Sequence, residues 1–223
     1  MGTHRIETIG AEARPLCILD DFAPDPDGLR DFAAAAAFEA ALHHYPGIRA
    51  ALPAGYFEAR LPVIAEAAAQ TFGRSGAVTV IDASFSIVTT PVEALSVAQR
   101  MPHVDAFTAD RIAFIHYLSP EGDDGTAFFR HRSTGFETVG EDRRDLYFRQ
   151  LDTELRYAGP PPAAYVADNT PLFARTHVAA ARYNRALLYR SDNLHSGAIS
   201  PDASLSPNPR AGRLTVTAFL SIG

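Results

Sequence analysis

The apolar pattern changes period at Val78, and that change commits most of the chain to a sheet-based fold. Val78, Val80, Asp82 and Ser84 alternate with Thr79, Ile81, Ala83, Phe85 and Ile87. Alternation of this length puts the two sets on opposite faces of a strand. Further strands are expected at about 94–99, 103–108, 111–118, 126–130, 173–180, 185–190 and 213–222, with a turn at Gly122-Asp123-Asp124-Gly125. Upstream the period is helical, apart from a short strand at 16–19. Asp25-Pro26-Asp27 opens a helix: Asp25 caps it, Pro26 suits the first helical position, and the acids favour the positive helix end. Leu29, Phe32, Ala33 and Ala36 carry that helix to about residue 41, where His43-His44-Tyr45-Pro46-Gly47 breaks it. A second helix covers about 61–72, with Gly73 as its stop. A third, at about 143–157, sets Leu146, Tyr147, Leu151 and Leu155 on one side and ends at Gly159-Pro160-Pro161-Pro162. Short strands preceded by helices predict a mainly β, α+β chain, a β-sandwich or jelly roll with helices on one face. No linker divides it, so a single domain over 1–223 is expected. Residues 1–77 would form a helical N-terminal support and 78–223 the β core, with a helical insertion near 143–157.

Bulk properties exclude several roles. Hydrophobic residues make up 47% of the 223, enough for an ordinary core. The net charge of −6 and the scattered Lys and Arg argue against nucleic-acid binding. No apolar run approaches the roughly 20 residues of a membrane span, and residues 1–10 lack a signal peptide's apolar stretch. The sole cysteine, Cys17, sits in an apolar run and reads as a small core residue. One cysteine allows no internal disulfide and no cysteine-based zinc site. A cytoplasmic protein is expected.

The chemistry concentrates in Pro102-His103-Val104-Asp105. Residues two apart on a strand share a face, so His103 and Asp105 can reach one metal ion. Asn193-Leu194-His195-Ser196-Gly197, directly after an apolar strand, offers His195 as third ligand. Two imidazoles and a carboxylate on one side of an ion leave positions open, as iron(II) needs for a bidentate co-substrate and O₂. The far carboxylate of an oxo-acid co-substrate needs a cation, and arginine matches it with two parallel donors. Arg213 opens the last strand, with Thr215 and Thr217 on the same face.

His-x-Asp, a distal His and a basic residue on the next strand resemble the iron(II)/2-oxoglutarate-dependent dioxygenase superfamily. The stretch 111–118 ending in Tyr117-Leu118, followed by Gly125-Thr126-Ala127-Phe128-Phe129, is similar to its prolyl-hydroxylase-like branch. The finer match, in Pro-His-x-Asp, Gly-Thr-x-Phe-x-Arg-His-Arg and Leu-His-Ser-Gly, is to an uncharacterised bacterial subfamily. The resemblance covers roughly residues 80–222 and implies a double-stranded β-helix, a cupin-like jelly-roll barrel. It also implies His103, Asp105 and His195 as iron ligands, and Arg213, with Tyr117 and Thr215 near it, at the 2-oxoglutarate site. The reaction implied is hydroxylation of a small-molecule or peptidyl substrate. Two positions depart from the branch. Arg213 stands where Lys is common, and Asp124-Gly125 replaces a Gly-Gly pair.

Other residues carry two readings each. Arg130-His131-Arg132 lines the pocket mouth and binds a substrate carboxylate or phosphate, or it is a solvated loop pairing with Asp123, Asp124 or Glu137. Tyr117 bonds the co-substrate or packs in the core. His116 faces away from Tyr117, so at most one of them lines the pocket. Tyr45-Pro46-Gly47-Ile48-Arg49 is a surface turn or a cover for the site, His43, His44 and His177 are structural, and Tyr183-Asn184-Arg185 is a hairpin turn. Two rival functions share the scaffold: a cupin-like metal enzyme without 2-oxoglutarate, and a non-catalytic jelly-roll binding protein.

Overall fold

The computed structural model describes residues 4–41, 45–119 and 124–223. Its strands are β1 (His4–Ile9), β2 (Arg14–Leu19), β3 (Glu39–Ala40), β4 (Gly47–Ala50), β5 (Val78–Val88), β6 (Arg111–Tyr117), β7 (Gly125–His131), β8 (Phe173–Ala180), β9 (Ala186–Arg190), β10 (His195–Ala198) and β11 (Leu214–Ile222). The helices are α1 (Pro26–Ala35), α2 (Tyr56–Phe72) and α3 (Glu141–Ala158). An eight-stranded sheet runs in the order β1-β2-β9-β6-β11-β5-β4-β3, and a three-stranded sheet runs β10-β7-β8. Every pairing in them is antiparallel.

Side-chain alternation sorts the strands into layers. On the large sheet, Cys17, Leu19, Phe85, Ile87, Phe114, Leu188, Val216 and Ala218 pack against Ala33 of α1 and Ile64, Ala67 and Ala68 of α2. The opposite face turns Leu16, Ile18, Ala113, Tyr117, Leu187 and Tyr189 toward Phe128 and Ala179 of the small sheet. The far face of the small sheet, with Ala127, Phe129 and Phe173, is covered by Tyr147 and Leu151 of α3. The layers are therefore α1 and α2, large sheet, small sheet, α3. Each buried aliphatic or aromatic side chain contributes about 1.5–3 kcal/mol of transfer free energy to this stacking.

Several expectations change. The first 77 residues supply four strands besides α1 and α2. The helix expected to reach residue 41 stops at Ala35; Ala36 is extended, and Glu39–Ala40 pairs with β4 instead. Alanine's helix preference is worth only a few tenths of a kcal/mol per residue, and strand pairing overrides it. The strand expected at 94–99 is two 3₁₀ turns, Val92–Ala94 and Ala98–Arg100. There the Gln99 side chain accepts from the Ser96 N–H at 2.8 Å, and the Arg100 guanidinium donates twice to the Leu95 carbonyl at 3.0 and 2.8 Å. Such local bonds draw the backbone away from a sheet ladder. Tyr183-Asn184-Arg185 is a turn, with Asn184 at φ 61, but it joins strands of different sheets and forms no hairpin. Leu146, expected on the buried side of α3, is exposed, and Tyr147 and Leu151 carry the packing. The Asp25 cap is present, accepting from the Gly28 N–H at 2.8 Å, and Gly73 stops α2 at φ 68.

His116 lies on the helix side of β6, fully buried. The Asn184 amide is oriented by Ala23, whose N–H donates to Oδ1 at 2.8 Å and whose carbonyl accepts from Nδ2 at 2.9 Å. The Asn184 oxygen therefore receives the His116 Nε2–H at 3.0 Å, and His116 Nδ1 accepts from the Tyr56 hydroxyl at 2.9 Å. A neutral ring satisfies all three groups, and burial lowers the His116 pKa to about 4. The unfolded chain, titrating near 6.5, binds a proton that the folded chain refuses. This contribution to stability is complete above pH 6.5 and is lost at about 1.4 kcal/mol per unit as pH falls toward 4. Denaturant unfolding of metal-free protein between pH 7 and 4.5 should show a shallower pH dependence in His116→Gln than in the parent. Equal slopes would mean that His116 is not held neutral.

Candidate metal centre

The centre starts from a backbone pairing. The His103 N–H donates to the His195 carbonyl at 2.9 Å, and the His195 N–H donates back to the His103 carbonyl at 2.9 Å. Residues exchanging both bonds stand directly opposite, with side chains on one face, and the two imidazole centroids are 4.4 Å apart. The expected strand at 103–108 is reduced to this single bridge. Beyond it the chain turns, because the N–H groups of both Asp105 and Ala106 converge on the Ser191 carbonyl, at 2.8 and 3.2 Å. That turn delivers Asp105 to the two rings. Its Oδ1 is 3.5 Å from His103 Nε2 and its Oδ2 is 3.4 Å from His195 Nε2. All three ligand atoms lie within 4.8 Å of one another. Ligands about 2.1 Å from one ion and at right angles are about 3 Å apart, so small shifts close the set on a metal.

Electrostatics prepares the same atoms. The His195 side chain is 6% exposed, and its Nδ1–H donates to the Asn193 carbonyl at 2.9 Å. That bond fixes the tautomer and leaves the Nε2 lone pair facing Asp105. Burial lowers the His195 pKa to about 4 against the opposing pull of the Asp105 charge, so the ring is neutral. Burial pushes the Asp105 carboxyl up, but His195 and His103 outweigh it and hold the group below its ordinary value. A neutral imidazole and an ionised carboxylate are the states that bind metal. The His103 side chain is 52% exposed, which marks the open side of the centre.

Behind the triad, the space between the sheets is lined by tyrosines and one arginine. Tyr189 packs edge-on against His195 at 4.9 Å and against Phe128 at 5.1 Å. The Tyr117 hydroxyl shares a hydrogen bond with Thr126 at 2.7 Å, and the Arg213 guanidinium lies 5.7 Å from the Tyr117 ring centre. Tyr117 therefore faces the interior that His116 turns away from. Arg213 donates to the Gly125 carbonyl at 3.0 Å, and its Nε is 3.4 Å from Asp124 Oδ2. The Thr215 hydroxyl donates to the Ser86 carbonyl at 3.2 Å.

Tyr45 joins this group, although its Tyr-Pro-Gly context favours a surface turn. Its buried hydroxyl lies beside Thr215 and Ser86, within the field of Arg213, yet makes no full hydrogen bond. Gly47 allows the close approach: a Cβ there would collide with the Ile87 carbonyl of β5. Glycine two residues after the tyrosine is the one sequence cue to this placement. Burial raises the pKa values of Tyr45, Tyr117 and Tyr189, so all three keep their protons.

Arg130, His131 and Arg132 are not brought together at the triad. His131 is buried beneath α3, 2.8 Å from Glu154 and 2.9 Å from Thr134, between the rings of Tyr147 and Phe173. Strand alternation turns it to the outer face of the small sheet. Arg132 is exposed and donates to the Thr170 carbonyl at 3.0 Å, and Arg130 is exposed. His177 Nε2 is 3.3 Å from Glu7. His43, His44 and Asp123 lie outside the described residues.

No functionally curated protein matches this sequence. Solved structures with a similar fold include the non-haem alpha-ketoglutarate-dependent epimerase SnoN from nogalamycin biosynthesis. It is 12% identical with a TM-score of 0.51, over 93% of this chain and 76% of that one. Another is HygX from Streptomyces hygroscopicus, solved with nickel and 2-oxoglutarate bound. It is 10% identical with a TM-score of 0.50, over 95% of this chain and 84% of that one. At these identities the likeness is one of fold, the mainly β architecture of cupin-type, double-stranded β-helix oxygenases. Residues 2–220 match the family of unknown function DUF6445, and the chain belongs to that family.

Proposed function

We propose that this protein is a non-haem iron(II), 2-oxoglutarate-dependent oxygenase that hydroxylates a small-molecule or peptidyl substrate. The observation that carries the reading is the convergence of His103 Nε2, Asp105 and His195 Nε2 on one point. An orphaned polar wall supports the co-substrate. The Tyr45 hydroxyl and Arg213 Nε are both buried without a hydrogen bond. An unpaired buried donor costs about 1–3 kcal/mol, and a carboxylate between these two would satisfy both. HygX, of similar fold, is known with 2-oxoglutarate and nickel bound.

In this reading His103, Asp105 and His195 hold iron(II) on one side, leaving positions open toward the half-exposed face at His103. Arg213, Tyr45 and Thr215 hold the far carboxylate of 2-oxoglutarate, and Tyr117 supports the guanidinium from beneath. When bound, iron(II) and 2-oxoglutarate supply the oxidising chemistry: O₂ and the oxo acid are consumed, succinate and CO₂ leave, and one oxygen atom enters a substrate C–H bond. The chain itself binds, orients and excludes water. Asn193 keeps the His195 ring in register through its carbonyl. Tyr189, buried against that ring, closes the inner side to solvent. The protonated tyrosines act only as hydrogen-bond donors and apolar walls, and take no part as bases.

One observation favours a second reading. Asp124 already stands against Arg213, as suits a metal enzyme with the same triad and no oxo-acid co-substrate. Anaerobic titration of the iron(II)-loaded protein with 2-oxoglutarate separates the two. A weak visible charge-transfer band, absent in His103→Ala, is expected from an oxo acid chelated at a three-ligand centre. Bound iron without a band would favour the second reading.

The anchor is tested separately. Arg213→Ala leaves a buried carboxylate without its cation, at a cost of about 3–5 kcal/mol, or about a hundredfold or more in 2-oxoglutarate affinity. Calorimetry on iron(II)-loaded protein under argon measures this directly. Unchanged affinity would remove Arg213 from the co-substrate site.

A further inference from the structure

Two positions break the prolyl-hydroxylase-like pattern in sequence, and the structure brings them into contact. These are Arg213 and Asp124, where the resemblance implies a lysine and a glycine, and Arg213 Nε lies 3.4 Å from Asp124 Oδ2. Both side chains are nearly buried, 13% and 10% exposed. The Asp124-Gly125 segment grips the guanidinium twice, since the Gly125 carbonyl accepts from Arg213 at 3.0 Å. Asp124 is itself pinned. Its Oδ1 accepts the Ser200 N–H at 3.1 Å and its carbonyl accepts the Ala181 N–H at 2.6 Å. Gly125 cannot retreat, because even a Cβ there would strike the Ala179 carbonyl of the neighbouring strand.

The pair is close but not well made. Arg213 Nε is near enough to Asp124 for charge attraction, yet it is buried without a hydrogen bond. A single guanidinium thus faces a resident carboxylate that neutralises its charge without using its full set of donors. An incoming distal carboxylate finds donors available and a negative charge already in place. Like charges brought together in a buried site oppose binding strongly.

We propose that Asp124 is a specificity-determining residue of the co-substrate site, a built-in carboxylate that lowers the preference for a dicarboxylic over a monocarboxylic 2-oxo acid. This rests on the co-substrate reading above and adds to it. The charge of Asp124 acts only on the distal end of the ligand. It therefore discriminates between 2-oxoglutarate and 2-oxopentanoate, which share a five-carbon chain and the chelating 2-oxo acid head but differ in the terminal carboxylate.

The test is calorimetric titration of iron(II)-loaded parent and Asp124→Asn proteins with each acid under argon. Asparagine keeps the shape and the oxygen that receives the Ser200 N–H, and Asp124→Ala serves the same comparison if the asparagine variant does not fold. Removal of the charge should tighten 2-oxoglutarate on the order of tenfold and leave 2-oxopentanoate unchanged. Weaker 2-oxoglutarate binding, or an equal shift for both acids, overturns the proposal and makes Asp124 a structural brace for Arg213. Binding of neither acid by either protein overturns the co-substrate reading itself, and this inference with it.

Discussion

The candidate metal centre depends on two backbone hydrogen bonds, those exchanged by His103 and His195. Side chains as short as imidazole and carboxylate meet at a point only if their Cα atoms are fixed within a fraction of an ångström. A reciprocal antiparallel pair does this for two residues that lie far apart in sequence. The same stretch binds at two further points, where the Asp105 and Ala106 N–H groups share the Ser191 carbonyl. His195 is tied in turn to the interior of the small sheet, because β10 pairs with β7 in a register that sets His195 opposite Phe128. The triad is thus positioned by pairing to the small sheet.

The space between the two sheets combines features that ordinarily conflict. It is apolar enough to raise the Tyr189 and Tyr117 hydroxyls and to keep His195 neutral. It nevertheless contains the Arg213–Asp124 pair and the unpaired hydroxyl of Tyr45. A purely structural core would not retain an orphaned donor and a loose ion pair, since apolar residues of similar volume serve stability as well or better. The helix-facing side of the large sheet shows the contrast. There the polar groups Tyr56, His116, Asn184 and Ala23 close into a network in which every partner is satisfied. The satisfied network around His116 contrasts with the unpaired Tyr45 hydroxyl and Arg213 Nε between the sheets.

Much of this was legible in the residues, and the exceptions share a cause. Alternation at β5 and β-prone, apolar runs at β6, β8, β9 and β11 locate strands to within a residue or two. The capped ends of α1 and α2 follow equally from Asp25 and Gly73. The convergence of His103, Asp105 and His195 was legible because histidine and aspartate two apart, with a histidine after an apolar strand, form a compact chemical pattern. The edge strands β1 and β3 and the short strand β4 beside β3 escaped, since their partners rather than their own sequences make them strands. Arg130-His131-Arg132 misled for a related reason. A basic cluster in sequence is divided by strand alternation, which sends His131 to the α3 side while its neighbours stay exposed. Tyr45 lay beyond reach because its burial depends on the close approach of the Gly47 backbone to β5, a long-range contact.

The contrast between Tyr45 and His116 indicates where change in this chain could be tolerated. His116 has its hydrogen bonds filled from two segments, by Tyr56 and Asn184, so altering either partner strands a buried polar group and destabilises the helix-facing layer. Tyr45, Arg213 and Asp124 lie close to one another, and the ties of their side chains to other segments are few: Asp124 accepts the Ser200 N–H and Arg213 donates to the Gly125 carbonyl. The Gly125 carbonyl that Arg213 engages belongs to a strand already paired with β8 and β10. Among these three, Tyr45 has no hydrogen bond to lose, whereas removing either Arg213 or Asp124 leaves its nearly buried partner charge unpaired. On the proposed reading, the triad end of the site is fixed by backbone pairing while the Arg213 end rests on side-chain contacts, so the two ends differ in how they are held.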